Sequence, residues 1–412
     1  MKKRITIIGA GIVGVATGAY LRRDGHDVTI VDMGGPGEYC SFGNAGILSP
    51  GSCVPIATPG VQWKVPGYLT DPMGPLRIRW GYLPQAAPWL LRFIAASTHK
   101  RVEKIADALR PLLRQTFDAY EPLVRDAGVS DLIRQTGYVV AYEKRENYLG
   151  DAIAWKLRRE RGVAIEELDD AGVKALMPQL TGHYDVGLYL PEQGYVANPE
   201  RLTKAIAAQF ERDGGLVLRR EVRDIDVGPD GPRALVTDAG IMPVQTLIIC
   251  AGAHSNEFSA KLGDSLPLEA ERGYHVTYSD PRVTLPMPLF MPEHKFFVTP
   301  MEMGLRIAGQ SEFAGLHAEP DFNRAEILAR HMQRVFPDIS SADTTQWMGR
   351  RPSMPDSLPV IGRSTRYANA WYAFGHGHVG LCSGAPTGRI VADLIAGRTP
   401  SIDVSPYRPD RF

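Results

Sequence analysis

The chain has 412 residues, 44% of them apolar, enough for two or three domains with more than one sizeable core. Lys plus Arg and Asp plus Glu number 46 each, so no net field would draw the chain to nucleic acid or anionic lipid as its main business. Cys40, Cys53, Cys250 and Cys382 form no CxxC pair and no disulfide-scaffold density, which favours a reducing, cytoplasmic setting. No stretch reaches the roughly 18 uninterrupted apolar residues of a membrane-spanning helix, so membrane contact would be peripheral.

MKKR followed by the apolar run Ile5 to Leu21 has the outline of a signal peptide. A second reading explains more. Residues Arg4 to Asp32 read RITIIGAGIVGVATGAYLRRDGHDVTIVD: a β-rich run, then Gly9, Gly11 and Gly14, then a helical pattern opening at Ile12 and Val13, then a second strand ending in Asp32. This is the dinucleotide fingerprint. Gly9 makes the tight turn, Gly11 admits a pyrophosphate to the backbone, Gly14 lets the helix pack closely, and the helix start offers N–H groups to phosphates. Asp32, followed by Met33, would hold a ribose hydroxyl pair, which argues for FAD or NAD over NADP.

Flavin-like features are then scattered along the chain, whereas an NAD enzyme usually completes its nucleotide domain in one block. SFGNAGILSPG, Ser41 to Gly51, is a small-residue loop with Ser41, Asn44, Ala45, Gly46 and Leu48 placed to pass close to a ring system. Val61 to Ile94 carries Trp63, Trp80 and Trp89 and reads as ordinary packing, with a substrate lid, a peripheral membrane contact or a subunit surface as alternatives. Arg101 to Arg125 predicts a helix with a solvated charged face. An amphipathic helix, Pro199 to Arg212, precedes a strand over Leu216 to Ile225 that includes Val222. LIICAG, ending in Ala251 and Gly252, is a buried strand whose end suits the adenosine side of a cofactor. In MGRRPSMPDSLPVIG, Met348 to Gly362, a guanidinium fixed by a rigid turn suits bidentate carboxylate recognition, but adjacent arginines serve equally as surface charge.

Near the carboxyl end AWYAF runs into GHGHVG, where Gly375, Gly377, His378, Val379 and Gly380 lead into a helical pattern over Ser383 to Ile395. A glycine loop before a helix start would wrap the flavin's pyrimidine end, where partial positive charge favours its anionic reduced form. None of the ten histidines forms HExxH or a carboxylate cluster with metal spacing, so no metal is expected.

Taken in order, IIGAGIVGVATGAYL, HDVTIVD, NAGILSPG, GYHVTY, MGRRPSMPDSLPVIG and GHGHVGL make the whole chain resemble the glycine oxidase and D-amino-acid oxidase superfamily, with most similarity to bacterial D-amino-acid dehydrogenases. The resemblance implies an α/β fold: a Rossmann-like domain holding non-covalent FAD, from segments 1–60, 190–262 and 345–412, with an inserted α+β substrate domain built on an antiparallel sheet, 61–189 and 263–344. It implies oxidation of a D-amino acid, or of a cyclic or secondary relative such as D-proline or D-hydroxyproline, by hydride transfer from the α-carbon to flavin N5. The imine then hydrolyses to a keto acid. The electron acceptor stays open among a quinone, an electron-transfer protein and oxygen, and homo-oligomerisation stays open too.

The resemblance implies that Arg351, at the arginine of the family's GxRP motif, binds the substrate carboxylate, and Arg350 should face away from it. Phe297 of KFFVTP replaces the family's carboxylate-binding tyrosine, leaving Lys295 or Tyr274 as the second partner. His378 stands where glycine oxidase has an arginine near its substrate, while His376 would serve structure. Two alternatives remain within enzymes: a glycine or sarcosine oxidase, or the β subunit of a hetero-oligomeric opine or hydroxyproline dehydrogenase. A flavin-binding scaffold without turnover is the alternative of another class.

Overall fold

In the computed structural model, which describes residues 2–412, the run Arg4–Ile8 is a strand buried at every position after the first. It has parallel partners on both sides, Asp27–Asp32 and Thr246–Ile249, which is why it reads as a continuous apolar run rather than an alternation. The six-stranded sheet runs Leu216–Arg219, Asp27–Asp32, Arg4–Ile8, Thr246–Ile249, Ala370–Phe374, all parallel, with Val360–Arg363 antiparallel at the edge.

Ile5, Ile7 and Ile248 point to one face, beneath the mutually packed helices Ile12–Arg23 and Gly380–Ala396. The helix Pro199–Arg212 lies beside the first of these, started by Asn198, whose side chain accepts the Arg201 N–H, and by Pro199 in its first turn. Leu247, Ile249 and Tyr372 point to the other face, against Ile225 and Leu235 of a three-stranded antiparallel sheet formed by Val222–Gly228, Gly231–Thr237 and Gly240–Pro243.

Two expectations change here. Leu216 to Ile225 is two strands in two sheets, because the charged run Arg219 to Arg223 cannot continue in the buried sheet and turns out of it once Arg220 N–H has bonded Asp32 O at 2.7 Å. Arg101 to Arg125 is likewise two helices, His99–Arg114 and Thr116–Asp126. Their charged face is solvated, as expected, with Arg101, Glu103, Lys104, Glu121 and Arg125 exposed, while the opposite face is core: buried Thr116 and Tyr120 donate to Cys382 O and Leu381 O at 3.0 and 2.7 Å.

The nine-stranded sheet is mostly antiparallel, in the order Thr344–Ser353, Glu269–Tyr278, Gly304–Phe313, Phe296–Met301, Leu289–Met291, Tyr138–Tyr142, Val186–Leu190, Glu166–Leu168, with Leu76–Ile78 pairing Gly304–Phe313. Thr344–Ser353, expected on the flavin side from residue 345 onward, is instead an edge strand of this sheet, because it pairs with Glu269–Tyr278 along its full length. The helix Asn323–Val335 covers one face, over Tyr274, Val276 and Ile307. The other face meets the loop after Asp32: His275 Nδ1 lies 2.9 Å from Gly43 O, Arg306 donates to Phe42 O and Asn44 O at 3.0 and 2.9 Å, and Thr299 donates to Ala45 O at 2.8 Å.

Val61–Thr70 and Leu83–Ala96 are helices of the segment singled out for its tryptophans. Trp89 is buried with Ile78 and Phe313 in a small core of their own, whereas Trp63 and Trp80 are 82% and 66% exposed. No helix among the described residues is long and apolar enough to cross a membrane.

Candidate active site

The amino-terminal cradle follows from three glycines. A Cβ on Gly9, whose φ is +111°, would lie 2.3 Å from Cys250 O, and one on Gly14 would lie 1.9 Å from Gly9 O. Only glycine fits either place. Gly11 starts the helix with no side-chain cap, and the Ile12 N–H is met by Ser41 Oγ at 2.9 Å, so Ser41 fixes the later loop against the helix start. Val13 follows within the first turn. Asp32 accepts N–H bonds from Ala10 and Gly34 at 2.6 and 2.8 Å, while burial holds its carboxyl above the usual range despite these bonds. Met33 beside it is exposed.

Asn44 folds its loop on itself, donating to Cys40 O and Ser41 O and accepting from Gly46 N–H, and Leu48 is buried. Across the sheet end, Ala251 and Gly252 follow the central strand, and a side chain at Gly252 would meet no protein atom within 4 Å. Val222 opens the neighbouring small sheet, and Gly362 lies in the edge strand. In the carboxyl-terminal loop Gly375 and Gly377 have φ of +82° and +50°, Val379 precedes the long helix, and Gly380 begins it without a side-chain cap. A helix start met only at Ile12 by Ser41, an uncapped helix start at Gly380, an acid at the second strand and an open wall at Gly252 form a cradle that fits an anionic dinucleotide.

The expected substrate residues separate into two groups. Arg351 and His378 converge on one carboxylate, Glu271, at 3.2 and 3.3 Å. Glu271 is buried and also accepts from Ser311 and Ser353 at 2.6 and 2.8 Å. Burial alone would raise its pKa, but His378, Arg351 and Ser311 outweigh burial and hold it well below the usual carboxylate range. Arg351 places Nη1 on Glu271 and Gln310 O, while Nη2 has only a 3.4 Å contact to Gly309 O. That second nitrogen is the less engaged arm of the guanidinium. Arg350 pairs across the ladder with Arg272 and Arg351 with Glu271, so alternation turns the two arginines to opposite faces. His376 bonds Thr387 Oγ1 at 3.0 Å from a fully buried position, and burial pushes it down to about 3.

Tyr274 is a correction. It lies on the face covered by helix Asn323–Val335, donating to Glu312 at 2.5 Å and accepting from Asp321 N–H, because an even offset from Arg272 sends it away from Glu271. Its hydroxyl is pushed up to about 12, chiefly by burial and Glu312. Lys295 does not reach Arg351; its Nζ lies 3.9 Å from Asp151, on the site-facing side of the sheet. Phe297 stacks on Phe290 at 4.4 Å and meets Tyr138 edge-on at 5.6 Å, forming an apolar wall beside it. Glu271 is the residue that sequence reasoning missed. The signal was an acid two places before GYH in a strand with all ten positions buried. Among the described residues no group of three or more His, Cys, Asp or Glu side chains is placed to hold a metal.

Residues 4–394 match the family model described as FAD dependent oxidoreductase. A D-amino-acid oxidase of Bradyrhizobium diazoefficiens is 41% identical, covering 100% of this chain and 99% of that one. A D-amino acid dehydrogenase of the same organism is 32% identical, with 99% of each chain covered. The glycine oxidase of Geobacillus kaustophilus superposes with a TM-score of 0.77 over the full length of both chains at 21% identity, a likeness of fold. With the cradle, the Arg351 site and a match spanning nearly every residue, the chain belongs to the FAD-dependent oxidoreductase family.

Proposed function

We propose that this protein binds FAD non-covalently and oxidises the C–N bond of a D-amino acid, or of a cyclic or secondary amino acid such as D-proline. The observation that carries the reading is Arg351, whose Nη2 arm stays open on the sheet face that meets the loop Ser41 to Gly46, while Glu271 fixes the other arm. The names of the two relatives, an oxidase and a dehydrogenase of D-amino acids, point the same way. Segments 1–60, 190–262 and 354–412 form the flavin-binding domain in this reading, and the nine-stranded sheet with its helices forms the substrate domain.

Gly9, Gly11, Ile12, Val13, Gly14 and Asp32 would hold the adenosine and phosphate half, Val222, Ala251 and Gly252 its edge, and the loops Ser41 to Leu48 and Gly375 to Gly380 the ring end. Bound FAD supplies the two-electron acceptor. Arg351 anchors the substrate carboxylate and so fixes which α-hydrogen faces that acceptor. His378, held by Glu271, tunes the charge around the amine. The amine loses a hydride from its α-carbon and a proton from nitrogen, and water converts the imine to a keto acid and the freed amine; no further side-chain base is needed. The test is a panel of D- and L-amino acids with an artificial electron acceptor, run beside an oxygen-uptake assay. Turnover restricted to L-amino acids, or absent across the panel, rejects the reading, and oxygen uptake separates oxidase from dehydrogenase.

A further inference from the structure

The site-facing side of the large sheet carries a second group of cations. Lys295 Nζ lies 3.9 Å from one oxygen of Asp151, and Lys64 Nζ lies 3.2 Å from the other. Tyr142 OH donates to the same carboxylate at 3.1 Å and takes a bond from Trp155 Nε1 at 2.8 Å. Arg158 lies 4.6 Å over the Trp155 ring, and among the described residues its only hydrogen-bond acceptor is Ala154 O. Two cations therefore share one carboxylate, and beside them Arg158 has no ion-pair partner among the described residues. Glu293, the next acid along, accepts only from neutral donors of Glu143, Lys144 and Asn147, so at most two carboxylates face these three cations.

From this surplus we infer that this end of the site binds a second carboxylate, so that the substrate class is an amino acid with an acidic side chain or an N-carboxyalkyl group. The inference rests on the amino-acid oxidation proposed above and names its substrate.

Geometry ties the two cationic ends together. The Arg351 guanidinium reaches across to Gly309 and Gln310, and Gly309 pairs with Phe296 on the strand that Lys295 leads into. One strand spacing, about 4.8 Å, thus separates the Gly309 backbone, which the guanidinium touches, from the strand that Lys295 leads into. The Lys295 side chain then runs outward to Asp151, and Phe290, Phe297 and Tyr138 supply an apolar wall for intervening methylenes. Both strands depart from regular geometry here: Lys295 and Gln310 are non-glycine residues at φ of +55° and +63°. Such strained conformations concentrate at ligand clamps. An apolar substrate would leave the surplus positive charge without a partner beside these partly exposed side chains, whereas a second carboxylate compensates it.

The test compares D-glutamate and N-carboxymethyl-D-alanine with neutral D-glutamine on the flavin-loaded enzyme, in wild type, Lys295→Met, Lys295→Glu and Arg158→Gln. At least one acidic substrate should exceed D-glutamine in kcat/KM by roughly tenfold or more, the effect of one charge-assisted hydrogen bond. Lys295→Met and Arg158→Gln should each lower that ratio, and Lys295→Glu should invert it. A wild-type ratio near one for both acids, or a ratio unmoved by all three variants, overturns the inference. A second measurement does not depend on turnover: glutarate should perturb the flavin absorbance at concentrations roughly tenfold lower than butyrate does, and equal concentrations overturn the subsite. If no amino acid is oxidised yet glutarate still binds tighter in a Lys295-dependent way, the oxidation reading fails while the dicarboxylate site stands.

Discussion

Replacing Arg351 by Met removes two things at once, the open carboxylate arm and the cation 3.2 Å from buried Glu271. Breaking a buried pair from one side costs about 3–5 kcal/mol, because an uncompensated charge stays behind. For 412 residues the unfolding entropy is about 0.9 kcal/mol per degree, so Tm should fall by roughly 3–6 °C. Glu271 would respond by protonating more readily, so the loss should shrink as pH falls. Losing charge-assisted bonds to the substrate, about 1.5–3 kcal/mol, should raise KM by roughly 10- to 150-fold. The double variant Arg351→Met, Glu271→Gln separates the two effects. It should recover most of the lost Tm, because no buried charge is stranded, yet keep the raised KM. Differential scanning fluorimetry and steady-state kinetics on flavin-loaded protein read both, and a double variant with wild-type KM would refute the carboxylate role of Arg351.

Other expectations follow from the same contacts. Burial holds His275, with help from Arg306, near 3, His376 near 3 and, with help from His294, His331 near 4, against 6.5 when unfolded. The unfolded chain therefore binds more protons between those values, and stability should fall as pH drops below about 6.5, by roughly 1.4 kcal/mol per pH unit for each site; urea midpoints that are flat from pH 7 to 5 would contradict this. Gly14→Ala should fold but lose the yellow colour of bound flavin, since its Cβ would meet Gly9 O at 1.9 Å; flavin retained at wild-type stoichiometry would show the cradle is misplaced. His378→Ala should shift substrate preference or the pH profile of kcat/KM through its 3.3 Å contact with Glu271, and an indifferent enzyme would remove His378 from the site.

The amino-terminal strand–helix–strand unit was legible because its constraints are local. Gly9, Gly14 and the two flanking strands lie within thirty residues, and each glycine is demanded by a contact only glycine tolerates. The helix Pro199–Arg212 was legible down to its ends because Asn198, Pro199 and the apolar spacing all agree. The substrate side was not, since its geometry is set by pairing between distant strands. Glu271 meets Arg351 through a register 80 residues apart, and which face Tyr274 takes depends on that register. Neither the alternation of Arg350 and Arg351 nor the GYH motif says which cation a buried acid will hold. The break between Arg219 and Val222 was hidden because both halves have strand composition, and only the competition for pairing partners divides them.

The account stands or falls on anaerobic mixing of the purified yellow protein with matched D- and L-amino acids, D-proline and D-glutamate included, while the flavin absorbance near 450 nm is followed. It predicts full bleaching by at least one D-amino acid, weak or none by the L-enantiomer, and loss of bleaching at the same concentration in Arg351→Ala. A flavin that never bleaches, or that bleaches equally with Arg351 removed, would contradict it.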